Sequence, residues 1–259
     1  MDESDLKTAL RDLPLGGLRY LKVTGSTNDD ALAWAAAGAA DFSLVLADSQ
    51  TNGRGRAGRR WFSLPGSGLA LSLVLRPTPA EGAWVGRFAG LAALALLGAL
   101  RQRGLSAQIK WPNDVLLGGR KLAGVLVEST WLGEKPETLV LGMGINLAQD
   151  AVPPDVELLF PATSLEDEMG APPDPLPLLH DLLAELLRLR PQLGSDRFLA
   201  DWEGALAFRD RDVDLWRGDQ PPLRGRIDGL EEDGSLRLRS SDGRMHSLPF
   251  GEVHLRPSV

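Results

Sequence analysis

The sequence predicts an α+β fold: a mixed β-sheet flanked by helices, followed by a small SH3-like β-barrel. Three observations predict it. Short apolar runs such as Leu44–Ala47, Gly68–Arg76 and Leu139–Leu147 read as buried strands. Two helical stretches accompany them, Trp84–Arg103 and one with an apolar face of Leu178, Leu179, Leu182, Leu183, Leu186 and Leu187. From Arg211 onward the texture changes to about 50 residues of short strand-like pieces and turns, as small barrels have. Residues 1–210 are therefore expected to form one domain and 211–259 the barrel, a division that 259 residues allow.

In chain order, Leu18–Val23 is a plausible first strand. Ser26 or Thr27 would cap the helix that follows, with Asp29 and Asp30 favouring its first turn. Three small polar side chains at a helix start, Ser26, Thr27 and Asn28, can equally bind a polar head group. Leu44–Asp48 is the next strand, ending at Gln50. The Trp84–Arg103 helix ends near Gly104. Ala107–Trp111 is a short strand broken by Pro112-Asn113-Asp114. Val115–Leu117 and Lys121–Glu128 flank a Gly118-Gly119 turn, a hairpin signal. Leu139–Leu147 carries glycines that suit close approach of another group. Residues 148–177, rich in proline and acid, read as a long surface loop with one helical turn. Phe198, Trp202, Leu206 and Phe208 suggest a further helix. In the barrel, Val213–Trp216, Leu223–Leu230, Ser235–Arg239 and Met245–Leu248 are the strands, with turns at Glu231–Gly234 and Ser241–Gly243.

A hydrophobic fraction of 43% suffices for a sizeable core, and a net charge of −7 makes duplex nucleic acid an unexpected partner. The absence of cysteine removes disulfides, thiol nucleophiles and thiolate metal sites together. His180, His246 and His254 show no ligand spacing. No signal peptide opens the chain, and the most apolar stretch, Phe88–Leu100, is 13 residues with two glycines, too short to span a bilayer. A cytosolic protein with no membrane partner is expected. Of 28 basic residues only five are lysines, so Lys110 and Lys121, eleven apart, stand out.

The densest signal is Gln50–Trp61, in which three glycines and four arginines fall within the stretch Gly53–Arg60. Glycines at Gly53 and Gly55 let the backbone turn and approach a ligand, and the arginines place forked donors on it that match phosphate or carboxylate oxygens. Gly53-x-Gly55-x-x-Gly58 formally matches a dinucleotide fingerprint, but it leads into Arg59-Arg60-Trp61-Phe62 rather than a helix. A P-loop is excluded because no Lys-Ser or Lys-Thr follows. A solvated basic loop is the plain alternative, against which the adjoining Trp61 and Phe62 argue. Flexible glycines and four like charges leave little to hold this loop without a ligand, so it is expected to be mobile when free.

Ser26-Thr27-Asn28, Gln50-Thr51-x-Gly53-Arg54-Gly55-Arg56-x-Gly58-Arg59-x-Trp61, Lys110–Asp114, Lys121–Glu128 and Gly142-x-Gly144-Ile145-Asn146-Leu147 occur in an order that closely resembles the biotin protein ligases. The dense resemblance covers Gly17–Leu147, and the C-terminal strands, ending at Gly251–Arg256, look like that family's terminal barrel. The resemblance implies a catalytic sheet domain of the class II synthetase and biotin ligase type. It implies ATP-dependent formation of biotinyl-5′-AMP and transfer of biotin to a lysine of a biotin carboxyl carrier domain of a carboxylase. Catalytic roles then fall to Lys121, with Arg54 and Arg56 closing over the adenylate. Biotin binding falls to Ser26, Thr27, Asn28, Gln50, Arg54, Gly55, Arg56, Lys121 and Gly124. ATP binding falls to Arg56, Arg59, Trp61, Asn113, Lys121 and Asn146, with Mg²⁺ beside Asp114. Trp111 and Leu126 read equally as core or as ligand wall. Fewer than 20 residues precede the first strand, too few for the helix-turn-helix of the repressor forms, so binding to operator DNA is not expected. A homodimer is left open. A lipoate or octanoate transferase would share the fold but needs a long apolar slot. A non-catalytic biotin-binding protein would have no use for Lys121 and the arginine loop together.

Overall fold

The computed structural model describes residues 1–152, 160–209, 211–217, 221–249 and 253–258. The helices are α1 Glu3–Ala9, α2 Thr27–Ala36, α3 Pro79–Gly82, α4 Phe88–Arg101, α5 Leu165–Met169, α6 Pro175–Leu189 and α7 Asp196–Gly204. The strands are β1 Gly17–Thr24, β2 Ser43–Gln50, β3 Gly68–Leu75, β4 Ala107–Lys110, β5 Asp114–Leu117, β6 Arg120–Leu132 and β7 Lys135–Asn146, then β8 Asp212–Arg217, β9 Leu223–Leu230, β10 Leu236–Ser240, β11 Met245–Leu248 and β12 Val253–Pro257. Among the described residues no helix is long and apolar enough to cross a membrane.

The first seven strands form one sheet in the order β1-β2-β3-β7-β6-β5-β4. β1 and β2 are parallel and every other neighbour is antiparallel, the mixed sheet expected. Side chains alternate between its faces because the strand period is two. Leu44, Leu46, Leu71, Leu73, Leu141, Met143, Ala123 and Val125 face the main core with α4, α6 and α7. Helix α4 is apolar on every side and accordingly buried, with α6 laid against it. The opposite face carries Val45, Val74 and Val140, and here α2 docks through Ala31 and Ala35. Small residues at that contact let the start of α2 come close to the sheet.

The second unit is a five-stranded antiparallel sheet, order β11-β10-β9-β8-β12, the SH3-like unit expected. Its β9–β10 turn inserts into the first domain. The buried Arg87 donates from Nε to the Glu232 carbonyl (2.5 Å) and from Nη1 to that of Leu193 (2.8 Å). Trp111 Nε1 donates to the Gly234 carbonyl (3.0 Å), and Leu230 N to Glu203 Oε1 (2.5 Å).

Some elements differ from the expectation. The helix expected over Trp84–Arg103 is two pieces: a tighter turn at Val85–Arg87, and α4; α3 precedes it. The tight turn is where Arg87 reaches the carbonyls just described. Leu206 and Phe208 lie beyond α7, which closes at Gly204. The edge of β4 captures the chain there instead, through Ile109 N to Ala205 O (2.8 Å) and Ala207 N to Ile109 O (2.8 Å). β6 and β7 run on past Glu128 and Leu139 as a long hairpin that turns at Gly133. The stretch 148–177 holds α5 and the start of α6 as well as a short turn, while residues 153–159 of that expected loop, and Gly251 and Glu252 of the terminal motif, lie outside the described residues.

Candidate active site

One cavity opens on the α2 face of the sheet. Its lining brings together Ser26, Thr27, Asn28, Gln50, Arg54, Gly55, Arg56, Arg59, Trp61, Asn113, Asp114, Lys121 and Gly124, nearly the whole set singled out in the sequence. Asn146 is not among the lining residues; it is buried and donates from Nδ2 to the Thr163 carbonyl (2.9 Å).

At one end lies the start of α2. Ser26 occupies the N-cap position, yet its side chain makes no capping bond. Gln50 does that work: its Oε1 accepts from Thr27 N (2.8 Å) and from Thr27 Oγ1 (3.0 Å). Ser72 Oγ lies 2.8 Å from Thr27 Oγ1 and 2.6 Å from Asn28 Oδ1. Asn28 Nδ2 donates to Glu128 Oε2 (2.7 Å). Gly142 is what lets Asn28 sit here. A Cβ on Gly142 would stand 2.8 Å from Asn28 Cγ, and closer still to Oδ1. This end is a preorganised set of hydroxyl and amide groups.

The arginine loop is a small hairpin held by its own bonds, contrary to the expectation that little restrains it. Gly55 N donates to Arg59 O (2.7 Å) and Trp61 N to Gly53 O (2.8 Å), with Ala57 and Gly58 at positive φ in the turn. Gly53 is required, since a Cβ there would meet the Trp61 carbonyl at 2.5 Å. Arg54 is braced by carboxylates. Its Nη1 donates to Glu128 Oε1 (2.9 Å) and its Nη2 to Glu128 Oε2 (2.7 Å) and Asp29 Oδ1 (2.6 Å). Two carboxylates, one on α2 and one on β6, thus hold its guanidinium in place at the cavity lining. Arg56 reaches further in: Nη1 donates to Asn113 Oδ1 (3.2 Å), and burial pushes its guanidinium below the ordinary arginine value. Asn113 is fixed in turn by donating to the Val125 carbonyl (2.7 Å).

Trp61 lies across the sheet where Gly124 and Gly144 are register partners. A Cβ on Gly144 would stand 2.5 Å from Trp61 Nε1 and 2.6 Å from Cζ2. These strand glycines make a seat for the indole. Lys121 Nζ sits 5.6 Å from the centroid of that ring.

The other end is a cluster of charge. Lys121 would face the core by simple alternation from Ala123 and Val125. A β-bulge prevents this: Val115 pairs with Ala123 but Leu116 with Lys121, so Leu122 is the extra residue. The lysine is thereby turned into the cavity. Its Nζ contacts Asp114 Oδ1 (2.6 Å), and Lys110 Nζ donates to Asp114 Oδ2 (2.8 Å). Burial by itself would raise the Asp114 carboxyl. The ammoniums of Lys121 and Lys110 outweigh it and hold the carboxyl well below the usual carboxylate range. Burial pushes the Lys110 ammonium below the ordinary lysine value, against the pull of Asp114. Both oxygens of Asp114 are thus taken by ammonium groups, so Asp114 does not fit the metal-ligand role expected for it. Among the described residues no group of three or more histidines and carboxylates could hold a metal ion.

Trp111, 1% exposed, is core with its indole turned to the barrel, whereas Leu126 lines the cavity. The sequence reading assigned no site role to Glu128, Ser72 or Lys110. Ser72 had a signal, as the one polar residue within the apolar strand Leu69–Leu75. Lys110 had one too, as a rare lysine.

The model of the biotin/lipoate A/B protein ligase family matches residues 20–146. A biotin–[acetyl-CoA-carboxylase] ligase of Paracoccus denitrificans is 37% identical over 89% of this chain and 97% of its own. One of Mycobacterium tuberculosis is 40% identical over 73% of this chain and 74% of its own. The structure of the biotin protein ligase of Aquifex aeolicus in complex with biotin and ATP superposes with a TM-score of 0.80, covering 93% of this chain and 99% of that one at 27% identity.

Proposed function

The chain belongs to the biotin/lipoate A/B protein ligase family and is a biotin protein ligase, and from that premise we propose how its cavity does the work. Biotin lies with its ureido ring against Ser26, Thr27 and Gln50 and its carboxylate toward Lys121. The carboxylate attacks the α-phosphorus of ATP, the bond to pyrophosphate breaks, and biotinyl-5′-AMP forms. The amine of a carrier-domain lysine then attacks the anhydride carbonyl and AMP leaves. No protein nucleophile is needed for either step.

Catalysis here is placement plus charge compensation. Lys121 supplies a point charge where negative charge builds between the carboxylate and the α-phosphate. Removing one such electrostatic group costs on the order of 10²–10³ in rate in enzymes that depend on it. Arg56, steered by Asn113, covers the phosphate with Arg59, and Trp61 walls the cavity. Closure there keeps water from the anhydride. Arg54 acts at one remove, by fixing Glu128 and through it Asn28. Among the described residues no group of three or more histidines and carboxylates offers a site for the Mg²⁺ that accompanies ATP. Residues 1–210 carry these groups, and the barrel of 211–259 braces them through Trp111 and Arg87.

The observation that carries the reading is that one cavity joins a fixed polar end at α2 to the Lys121 and Arg56 cations. The polar end also argues against a lipoate or octanoate enzyme, whose substrate tail offers such groups no partner. The test is exchange of labelled pyrophosphate into ATP, with biotin, lipoate and octanoate in parallel. Exchange driven by biotin is expected. Equal exchange with either fatty acid substrate would overturn the assignment of the polar end.

A further inference from the structure

Lys110 is a buried cation for which the reaction just described has no use. Its side chain is 11% exposed, its Nζ donates to Asp114 Oδ2 at 2.8 Å, and the Phe160 ring centroid lies 5.1 Å away. Asp114, at 8%, is more buried still, and its Oδ1 lies 2.6 Å from Lys121 Nζ. All three groups line the cavity, the carboxylate between the two ammoniums, with Lys121 the more exposed of the lysines at 25%. A buried ion pair is weak evidence for stability, since apolar residues of similar volume often serve as well. A lysine kept here therefore asks for another reason.

We infer that Lys110 is a positioning residue that neutralises Asp114 through its second oxygen, so that the charge of Lys121 stays available to the substrate. Asp114 contacts the Lys121 side chain, which the bulge at Leu122 has turned into the cavity. A carboxylate with Lys121 as its sole partner would cancel the charge that it positions. With Lys110 on the second oxygen, the three groups sum to one net positive charge, and Lys121 is the lysine more open to the cavity. The β4–β5 pairing of Lys110 with Asp114 and the β5–β6 pairing across the bulge set this line of three. The inference rests on the role proposed for Lys121 and extends it to a second lysine of the cavity lining, one that acts through Asp114.

The test is Lys110→Met alone and together with Asp114→Asn, with biotin-dependent pyrophosphate exchange measured first on the unaltered protein. Absent exchange there would refute the ligase reading itself and not this inference. Lys110→Met should lower the exchange kcat about 10²-fold, the scale of one electrostatic group. The KM for biotin should stay within about twofold, because the ureido end is untouched. Adding Asp114→Asn removes the carboxylate that now cancels Lys121, so the double variant should regain at least about tenfold over Lys110→Met. A merely structural role for Lys110 predicts no such recovery, and neither does direct contact with phosphate. Wild-type kcat in Lys110→Met would overturn the inference. So would a folded, biotin-binding double variant no faster than the single. If Lys110→Met alone fails to fold, the double variant still decides: folded with substantial exchange it supports the inference, folded and inactive it sinks it.

Discussion

Gly144→Ala tests the seat of Trp61 with one methyl group. The new Cβ would stand 2.5 Å from Trp61 Nε1 and 2.6 Å from Cζ2. Ordinary contacts between heavy atoms are about 3.5–4.0 Å, so ring and methyl must separate by about 1 Å. The backbone cannot supply that movement. Gly144 is buried in β7, paired with Ala70 of β3 on one side and Gly124 of β6 on the other. The indole is half-buried at the end of a loop, so it is the part that yields. Overpacking costs about 1–3 kcal/mol where the neighbours are fixed. Because the ring can leave, the cost should fall on the closed cavity and not on the folded chain. Expressed as affinity, that is roughly 5- to 140-fold weaker binding of a biotin and ATP-analogue pair by calorimetry. The thermal midpoint without ligand should stay within about 2 °C, the shift expected of a change near 0.5 kcal/mol in a chain of this size. Trp61→Ala provides the control: if the methyl acts through the ring, the double variant should bind no worse than Trp61→Ala alone. Wild-type affinity in Gly144→Ala, or losses that simply add in the double variant, would refute the argument.

Lys121→Ala should abolish biotin-dependent exchange without lowering the thermal midpoint, and Lys121→Arg should remain strongly impaired, because a planar fork is not a point charge; full exchange in the alanine variant would remove Lys121 from the mechanism. Arg56→Gly should form biotinyl-adenylate but retain it poorly, seen as biotin on an unrelated protein added to the reaction, with hydrogen exchange over Gly55–Arg60 no longer slowed by biotin and ATP; normal adenylate formation with no bystander labelling would count against Arg56 as the closing group. Trp111→Phe leaves the Gly234 carbonyl without its donor, which should cost about 1–3 kcal/mol of stability and slow carrier biotinylation more than it weakens biotin binding; unchanged midpoint and ligation would separate the barrel from the cavity. His180 is raised above the ordinary histidine value chiefly by its bond to Asp12, so its support for the α1 side of the domain is present below about pH 6.5 and fades as pH rises through the raised value; His180→Gln should flatten that pH dependence of the midpoint, and a parallel slope in both proteins would dismiss it.

How far the site was legible follows from how local its signals are. Ser26, Thr27 and Asn28 are neighbours, and the arginine loop is one segment, so both announce themselves by composition. The strand glycines were also readable, because a glycine inside an apolar strand implies that something approaches it. What approaches was not readable: Asn28 comes from 114 positions before Gly142 in the chain, and Trp61 from 83 before Gly144. The same limit explains Arg54. Within its segment it looks like one more phosphate donor. Only the pairing of sheet and helix brings Glu128 and Asp29 to it and turns it into a brace.

Lys121 shows where pattern reasoning fails in a second way. Counting by twos from Ala123 and Val125 sends this side chain into the core, where a lysine would be costly to bury. The conflict between its charge and its parity could have predicted a bulge in β6, because that is the economical way to reverse the face of one strand residue. The bulge also explains the reassignment of Asp114. As a lone acid in a turn motif it invites a metal. Once β4, β5 and β6 are paired across the bulge, Lys110 and Lys121 arrive on its two oxygens and leave no room for one. The function of an ionisable residue here is set by the charges that the sheet delivers to it. Five lysines in a chain of 28 basic residues were the trace of this arrangement in the sequence. Two of the five converge on one carboxylate, where a compact ammonium fits.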